Sequence, residues 1–181
     1  TMKKKLMVTF ILVLAIASFM GIGAYATNYN LVNNPSAVLP DVDVSTFIAG
    51  GGTIAAGDVY TLLTDYSGTI TVNGTLIVDS STTLVNGIID NQSDTIVNGN
   101  AGTVTNSGTL KVNASGSVSN LTNSGYANLL GTASYVSNSG TVDVKNTVGT
   151  LSNSGTANVS ANVTTLTNNG GTTNLSAGTV T

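Results

Sequence analysis

The 181 residues include no cysteine, histidine, tryptophan, glutamate or arginine. Without cysteine there is neither a disulfide nor a thiolate metal site to staple the chain. Without histidine, glutamate and arginine, the usual general bases, metal ligands and guanidinium clamps are missing too. Only Asp, Lys, Tyr, Ser and Thr remain, so the chain reads as non-enzymatic, with no catalytic residue, cofactor or metal. Charged residues are scarce at 7% and aromatics at 5%, and the Leu, Glu, Lys and Arg mixture of a surface helix is absent. Gly, Asn, Ser and Thr fill the space, with Val, Ile and Leu spread throughout. Disordered chains lack such β-branched residues, so this one can bury a core, and the composition reads as all-β.

Residues 1–26 have the make-up of a secretory signal helix. Lys3, Lys4 and Lys5 precede an apolar run from Leu6 to about Ile22, and Ala24-Tyr25-Ala26 forms a small-residue cleavage site. The expectation is secretion, with membrane contact only through this segment if it stays uncleaved. Beyond it, Lys111 and Lys145 face eight acidic residues, all aspartate. Such a chain has almost no positive charge with which to neutralise phosphates, so no nucleic-acid partner is expected. Asp41 and Asp43 have the spacing that brings two carboxylates to one side of an extended segment, but no further acid stands nearby to complete a calcium site.

Periodicity is the main signal. Thr105-Asn106-Ser107-Gly108, Thr122-Asn123-Ser124-Gly125, Ser137-Asn138-Ser139-Gly140, Ser152-Asn153-Ser154-Gly155 and Thr167-Asn168-Asn169-Gly170 share one pattern, and Asn91-Gln92-Ser93 is a degenerate copy. Successive asparagines lie 15, 17, 15, 15 and 15 residues apart from Asn91 to Asn168. Between these corners the apolar residues keep register in four columns. Leu110, Ala127, Val142 and Ala157 form the first, and Val112, Leu129, Val144 and Val159 the second. Ala101, Val118, Ala133, Val148 and Val163 form the third, and Val104, Leu121, Val136, Leu151 and Leu166 the fourth.

Apolar residues at i and i+2 mark a strand with one buried face. A unit of about fifteen residues cannot bury that face alone, so the units must stack at the inter-strand spacing of about 4.8 Å. The predicted fold is a parallel β-solenoid of seven or eight coils. Gly after Ser suits a corner that needs positive φ or close backbone approach. Stacked Asn91, Asn106, Asn123, Asn138, Asn153 and Asn168 can donate and accept along the axis as an amide ladder. The repeat domain is placed at residues 58–181. Residues 27–57, which hold Pro35 and Pro40, form an N-terminal cap or a tether, with Val42, Val44, Phe47 and Ile48 offering apolar surface to dock.

The Asn-Ser-Gly-Thr corners, together with the run from Gly68 to Val78, Gly-Thr-Ile-Thr-Val-Asn-Gly-Thr-Leu-Ile-Val, resemble the repeats of extracellular β-solenoid surface proteins. Filamentous-haemagglutinin-type adhesins and self-associating autotransporter passengers belong to that group. The resemblance implies export, adhesion or assembly. Solenoid enzymes acting on acidic polysaccharides need clustered charge, which two isolated lysines do not supply. Three roles follow as expectations, the first being a self-associating subunit of an extracellular filament or surface layer, joined head to tail to its own copies. The second is a monomeric cell-surface adhesin with a surface or polysaccharide partner. The third is an ice-binding protein using an outward Thr-x-Thr face made of Thr103, Thr105, Thr122, Thr150, Ser152, Thr165, Thr167, Thr179 and Thr181. The candidate assembly end is Leu175, Val180 and Thr181, where the pattern runs on with no proline, helix or charge to block an edge.

Overall fold

The computed structural model describes residues 28–32, 41–82 and 87–180. The expected signal segment and Thr181 lie outside these. The chain winds into a parallel β-solenoid of about nine turns of about 15 residues, with about 60% of it in strands. The ten-stranded sheet runs in the order β18 (Thr172–Leu175), β16 (Thr156–Val159), β14 (Thr141–Val144), β12 (Tyr126–Leu129), β10 (Thr109–Val112), β8 (Asp94–Val97), β6 (Thr75–Val78), β4 (Val59–Leu62), β1 (Asn28–Val32) and β2 (Asp41–Asp43). The eight-stranded sheet runs β17 (Val163–Asn168), β15 (Val148–Asn153), β13 (Thr132–Asn138), β11 (Ser117–Asn123), β9 (Asn100–Asn106), β7 (Ile88–Asn91), β5 (Thr69–Val72) and β3 (Thr53–Ile54). Each full turn gives one strand to each sheet, and the core lies between them.

The four apolar columns stack in the expected register. Leu110, Ala127, Val142 and Ala157 lie over one another, as do Val112, Leu129, Val144 and Val159. Ala101, Val118, Ala133, Val148 and Val163 form the third stack and Val104, Leu121, Val136, Leu151 and Leu166 the fourth. All are buried except Leu166, which is half-buried near the end of the stack. Burying an aliphatic side chain of this size contributes about 1.5–3 kcal/mol, and no rung does so without a neighbour above or below it.

The single spacing of 17 does not break either sheet. Its two extra residues are taken up in the far corner, Asn113-Ala114-Ser115-Gly116, which joins β10 to β11, where the next turn uses only Leu130-Gly131. The Asn-Ser-Gly corner itself keeps constant length from Asn91 to Asn153.

The corner glycines owe their place to close approach. Gly108, Gly125, Gly140 and Gly155 are not among the positive-φ glycines. A Cβ on Gly125 would lie 2.2 Å from the carbonyl oxygen of Gly108, and one on Gly140 would lie 2.2 Å from that of Gly125. No side chain fits between successive rungs there. The last corner differs from its predecessors. Gly171, not Gly170, packs against Gly155, and Gly170 is an extra residue at φ +85° with open space around it.

Strand pairing starts well ahead of residue 58. β1 pairs with both β4 and β2, and β3 pairs with β5, which accounts for turns beyond the seven or eight expected. These rungs were hidden in the sequence because they lack the Asn-Ser-Gly corner. The short helix α1 (Val44–Ala49) is capped by Asp43, whose Oδ1 accepts from the Thr46 N–H at 2.9 Å. Val44 of this helix is buried, and Val42, Phe47 and Ile48 pack against the core. Tyr60 lies between Tyr29 and Phe47, with ring centroids 4.7 and 5.1 Å away. The end at α1 is thus lined by aromatic and aliphatic side chains.

Candidate functional site

The six asparagines read as a ladder come together in one column. Asn91 Nδ2 donates to Asn106 Oδ1 at 2.6 Å, and Asn106 to Asn123 at 2.6 Å. Asn123 donates to Asn138 at 2.7 Å, Asn138 to Asn153 at 2.8 Å, and Asn153 to Asn168 at 3.2 Å. Each of these amide nitrogens also reaches the carbonyl of the first residue of the following strand in the next rung, as Asn123 does with Thr141 at 2.9 Å. The backbone carbonyls of Asn91, Asn106, Asn123 and Asn138 in turn take the Ser and Gly N–H groups of the next corner, as Asn123 does from Ser139 at 2.8 Å and Gly140 at 3.2 Å. Five of the six are at most 1% exposed, and only Asn168 is open to solvent. In Asn106, Asn123, Asn138 and Asn153 both amide hydrogens and the side-chain oxygen are satisfied, which offsets the cost of burying the amide.

The ladder has a definite start. Asn91 is in register with Val72, and Val72 with Ile54, so the column is apolar in the first rungs and becomes amide at β7. Asn91 Oδ1 faces that apolar side and has no hydrogen-bond partner among the described residues.

Three further polar stacks were not singled out from the sequence. Asn113 Nδ2 donates to Asn98 Oδ1, and Ser117 Oγ to Asn100 Oδ1, both at 2.6 Å. On the outer face of the ten-stranded sheet, Asp143 accepts from Tyr126 Oη at 2.7 Å and from Asn158 Nδ2 at 2.8 Å, and Asn158 Oδ1 accepts from Asn174 at 2.9 Å. Burial alone would raise the Asp143 carboxyl, but the Asn158 and Tyr126 hydrogen bonds and the nearby Lys145 charge hold it below its ordinary value. The same hydrogen bond raises the Tyr126 phenol. The 15-residue spacings of Asn98 to Asn113 and of Asp143 to Asn158 are the signal that would have found two of these.

The expected threonine face resolves into two columns on the eight-stranded sheet. One holds Thr103, Asn120, Tyr135, Thr150 and Thr165, and the other Thr105, Thr122, Ser137, Ser152 and Thr167. Thr103, Thr150 and Ser152 are half-buried, while Thr105, Thr122, Thr165 and Thr167 are exposed. Toward the N-terminus the columns meet Ile88 and Asp90. Thr179 does not extend them. Val180 bridges to Val163, the third apolar column, and the Thr179 N–H bonds to Asn162 Oδ1 at 3.0 Å. The extra Gly170, and a further residue in the corner after β18, shift the frame away from the fourth column.

At the other candidate site, Leu175 lies over Val159 and is 59% exposed, and Val180 is 38% exposed. β18 and β17 are the last strands of their sheets. Asp41 and Asp43 serve the fold, Asp41 accepting from Asn30 Nδ2 at 3.0 Å and Asp43 capping α1. Among the described residues no helix is long and apolar enough to cross a membrane. No protein-family model, no curated protein and no solved structure matches the chain.

Proposed function

We propose that this chain is an exported structural protein, the self-associating subunit of an extracellular filament or surface layer. The observation that carries the reading is the last described rung. Every rung up to it keeps parallel register with the one before, and Leu175 lies over Val159 of the aliphatic stack and is 59% exposed. An edge in register with every rung beneath it is a template for one more rung, and a second copy of the chain can supply it. The chemistry of the side chains supports a structural role as well. Asp41, Asp43, Asp79 and Asp143 each accept hydrogen bonds within the coil. Export is carried over from the composition of residues 1–26.

The test is sedimentation velocity on residues 27–181 over a wide concentration range, with electron microscopy of the same samples. The expected result is concentration-dependent growth into linear particles, abolished by Leu175→Lys without a fall in melting temperature. A monomer at every concentration would overturn the reading and leave the monomeric adhesin.

A further inference from the structure

The chain has four Asn-Gly pairs, at Asn73, Asn86, Asn98 and Asn169. Such a pair can convert spontaneously. The backbone nitrogen of the glycine attacks the asparagine Cγ, ammonia leaves, and a five-membered succinimide forms. Water then opens the ring at either carbonyl to give aspartate or isoaspartate. The ring needs the glycine free to turn, and the isoaspartyl product adds one carbon to the main chain.

At Asn73 and Asn98 the fold resists both. A Cβ on Gly74 would meet the Ala55 and Asp58 carbonyl oxygens at 2.3 and 2.4 Å, and one on Gly99 would meet those of Asp79 and Thr82 at 2.2 and 2.6 Å. Both glycines are buried against the previous rung. The ladder resumes on the next residue, with the Thr75 N–H on the Asp58 carbonyl and the Asn100 N–H on that of Thr82. The Asn98 side-chain oxygen, Oδ1, is further held by Asn113 Nδ2 at 2.6 Å. Asn86 lies outside the described residues.

The Asn169-Gly170 pair is different in each respect. Both residues are exposed, and no atom lies within 4 Å of a Cβ built on Gly170. Gly170 already sits at φ +85°, a conformation that glycine leaves and enters at little cost. It is also a spare residue. The Asn169 N–H bonds to the Asn153 carbonyl at 2.7 Å, the ladder resumes only at the Thr172 N–H on Gly155, and Gly171 takes the packing place of the other corner glycines. A main chain lengthened by one carbon can be absorbed there. Exposure at this corner does not depend on its being the last, since Ser107, Ser124, Ser139 and Ser154 are exposed at the matching place in inner rungs.

We propose that Asn169 is a site of spontaneous conversion to aspartate and isoaspartate. The change would put the first acidic side chain into residues 146–180, which hold none, beside Ser152, whose Oγ now accepts from Asn169 Nδ2 at 3.1 Å.

The experiment is to hold purified residues 27–181 at mildly alkaline pH and 37 °C, a general condition for this chemistry, and follow intact mass and tryptic or chymotryptic peptide maps. Isoaspartate is counted with a protein-isoaspartate methyltransferase. The expected result is a gain of one mass unit per chain, mapped to the peptide holding Asn169, with Asn73 and Asn98 unchanged over the same time and the isoaspartyl signal lost in Gly170→Ala. Conversion first at Asn73 or Asn98, or none at Asn169 when an unfolded control converts, would overturn the proposal. Intact mass does not depend on association, so this outcome is separate from that of the filament test.

Discussion

Asn123 and Asn138 are joined by a hydrogen bond of 2.7 Å between amide nitrogen and amide oxygen, and both are almost wholly shielded from solvent. The contact links two turns through side chains alone, in the plane where their backbones are also linked by the Ser139 N–H on the Asn123 carbonyl. Removing either amide therefore strands a group on each side.

Asn138→Ala leaves the Asn153 Oδ1 and one Asn123 Nδ2 hydrogen without partners in a dry column, at about 1–3 kcal/mol for each unsatisfied group. Asn128 stands on the outer face, half-buried, and its Oδ1 has no hydrogen-bond partner among the described residues. Asn128→Ala should change stability by no more than about 0.5 kcal/mol. Urea titration of the two variants reads the difference directly, and equal midpoints would remove the ladder from the account of stability.

Val144 is fully buried while its neighbour Asp143 points outward to Tyr126 and Asn158. Val144→Asp should cost several kcal/mol, about what an unpaired buried polar group demands, and unfold the chain at ambient temperature. Asp143→Ala gives up solvent-facing contacts worth about 1 kcal/mol or less. Melting curves followed by far-ultraviolet circular dichroism separate the two.

Two glycine substitutions distinguish steric from conformational strain. In Gly125→Ala the new methyl meets the Gly108 oxygen, which is backbone and cannot swing aside, so the rungs must part at a cost of about 1–3 kcal/mol or more. Gly170→Ala meets nothing, and its cost is the left-handed backbone, about 1–2 kcal/mol. Gly125→Ala should also expose backbone amides of β10 and β12 to hydrogen exchange, whereas Gly170→Ala leaves their protection unchanged.

Tyr66 is buried, its hydroxyl has no partner among the described residues, and burial pushes its ionisation up; Tyr60 is pushed up to about 12, first by burial and then by Tyr29 and Asp58. A phenol whose folded pKa is raised adds stability that is complete below its unfolded value of 10.0 and is lost as pH climbs through the folded value. Stability should therefore fall steeply from about pH 10 upward. Tyr66→Phe should match or exceed the native chain near neutrality, since no hydrogen bond is broken, and lose less above pH 10. Thermal melts across the alkaline range check both halves.

The repeat was legible because the same physical demand recurs on each turn. A buried amide needs another amide one rung away, and a glycine is required wherever two corners touch, so Asn106, Asn123, Asn138 and Asn153 repeat with Gly108, Gly125, Gly140 and Gly155. The rungs ahead of residue 58 were not legible, since Ile54 fills the ladder's place with an ordinary aliphatic. Thr179 was misplaced because single-residue insertions in two successive corners shift the frame while leaving the local pattern intact. Spacing could not tell whether the corner glycines serve φ or clearance, because both demands select the same residue.

The change from Val72 to Asn91 in one column has a consequence for how the coil comes apart. On one side of that junction the column is held by dispersion and solvent exclusion, and on the other by directional amide bonds, with one oxygen left unanswered between them. Cooperativity in a stacked array passes only through nearest neighbours, and although the backbone ladder is continuous from β5 to β7, the amide bonds that join later rungs stop at Asn91. The rungs up to β6 and the rungs from β7 onward are then two thermodynamic blocks, and amide exchange on the amide-laddered side can stay slow after the aliphatic side has opened.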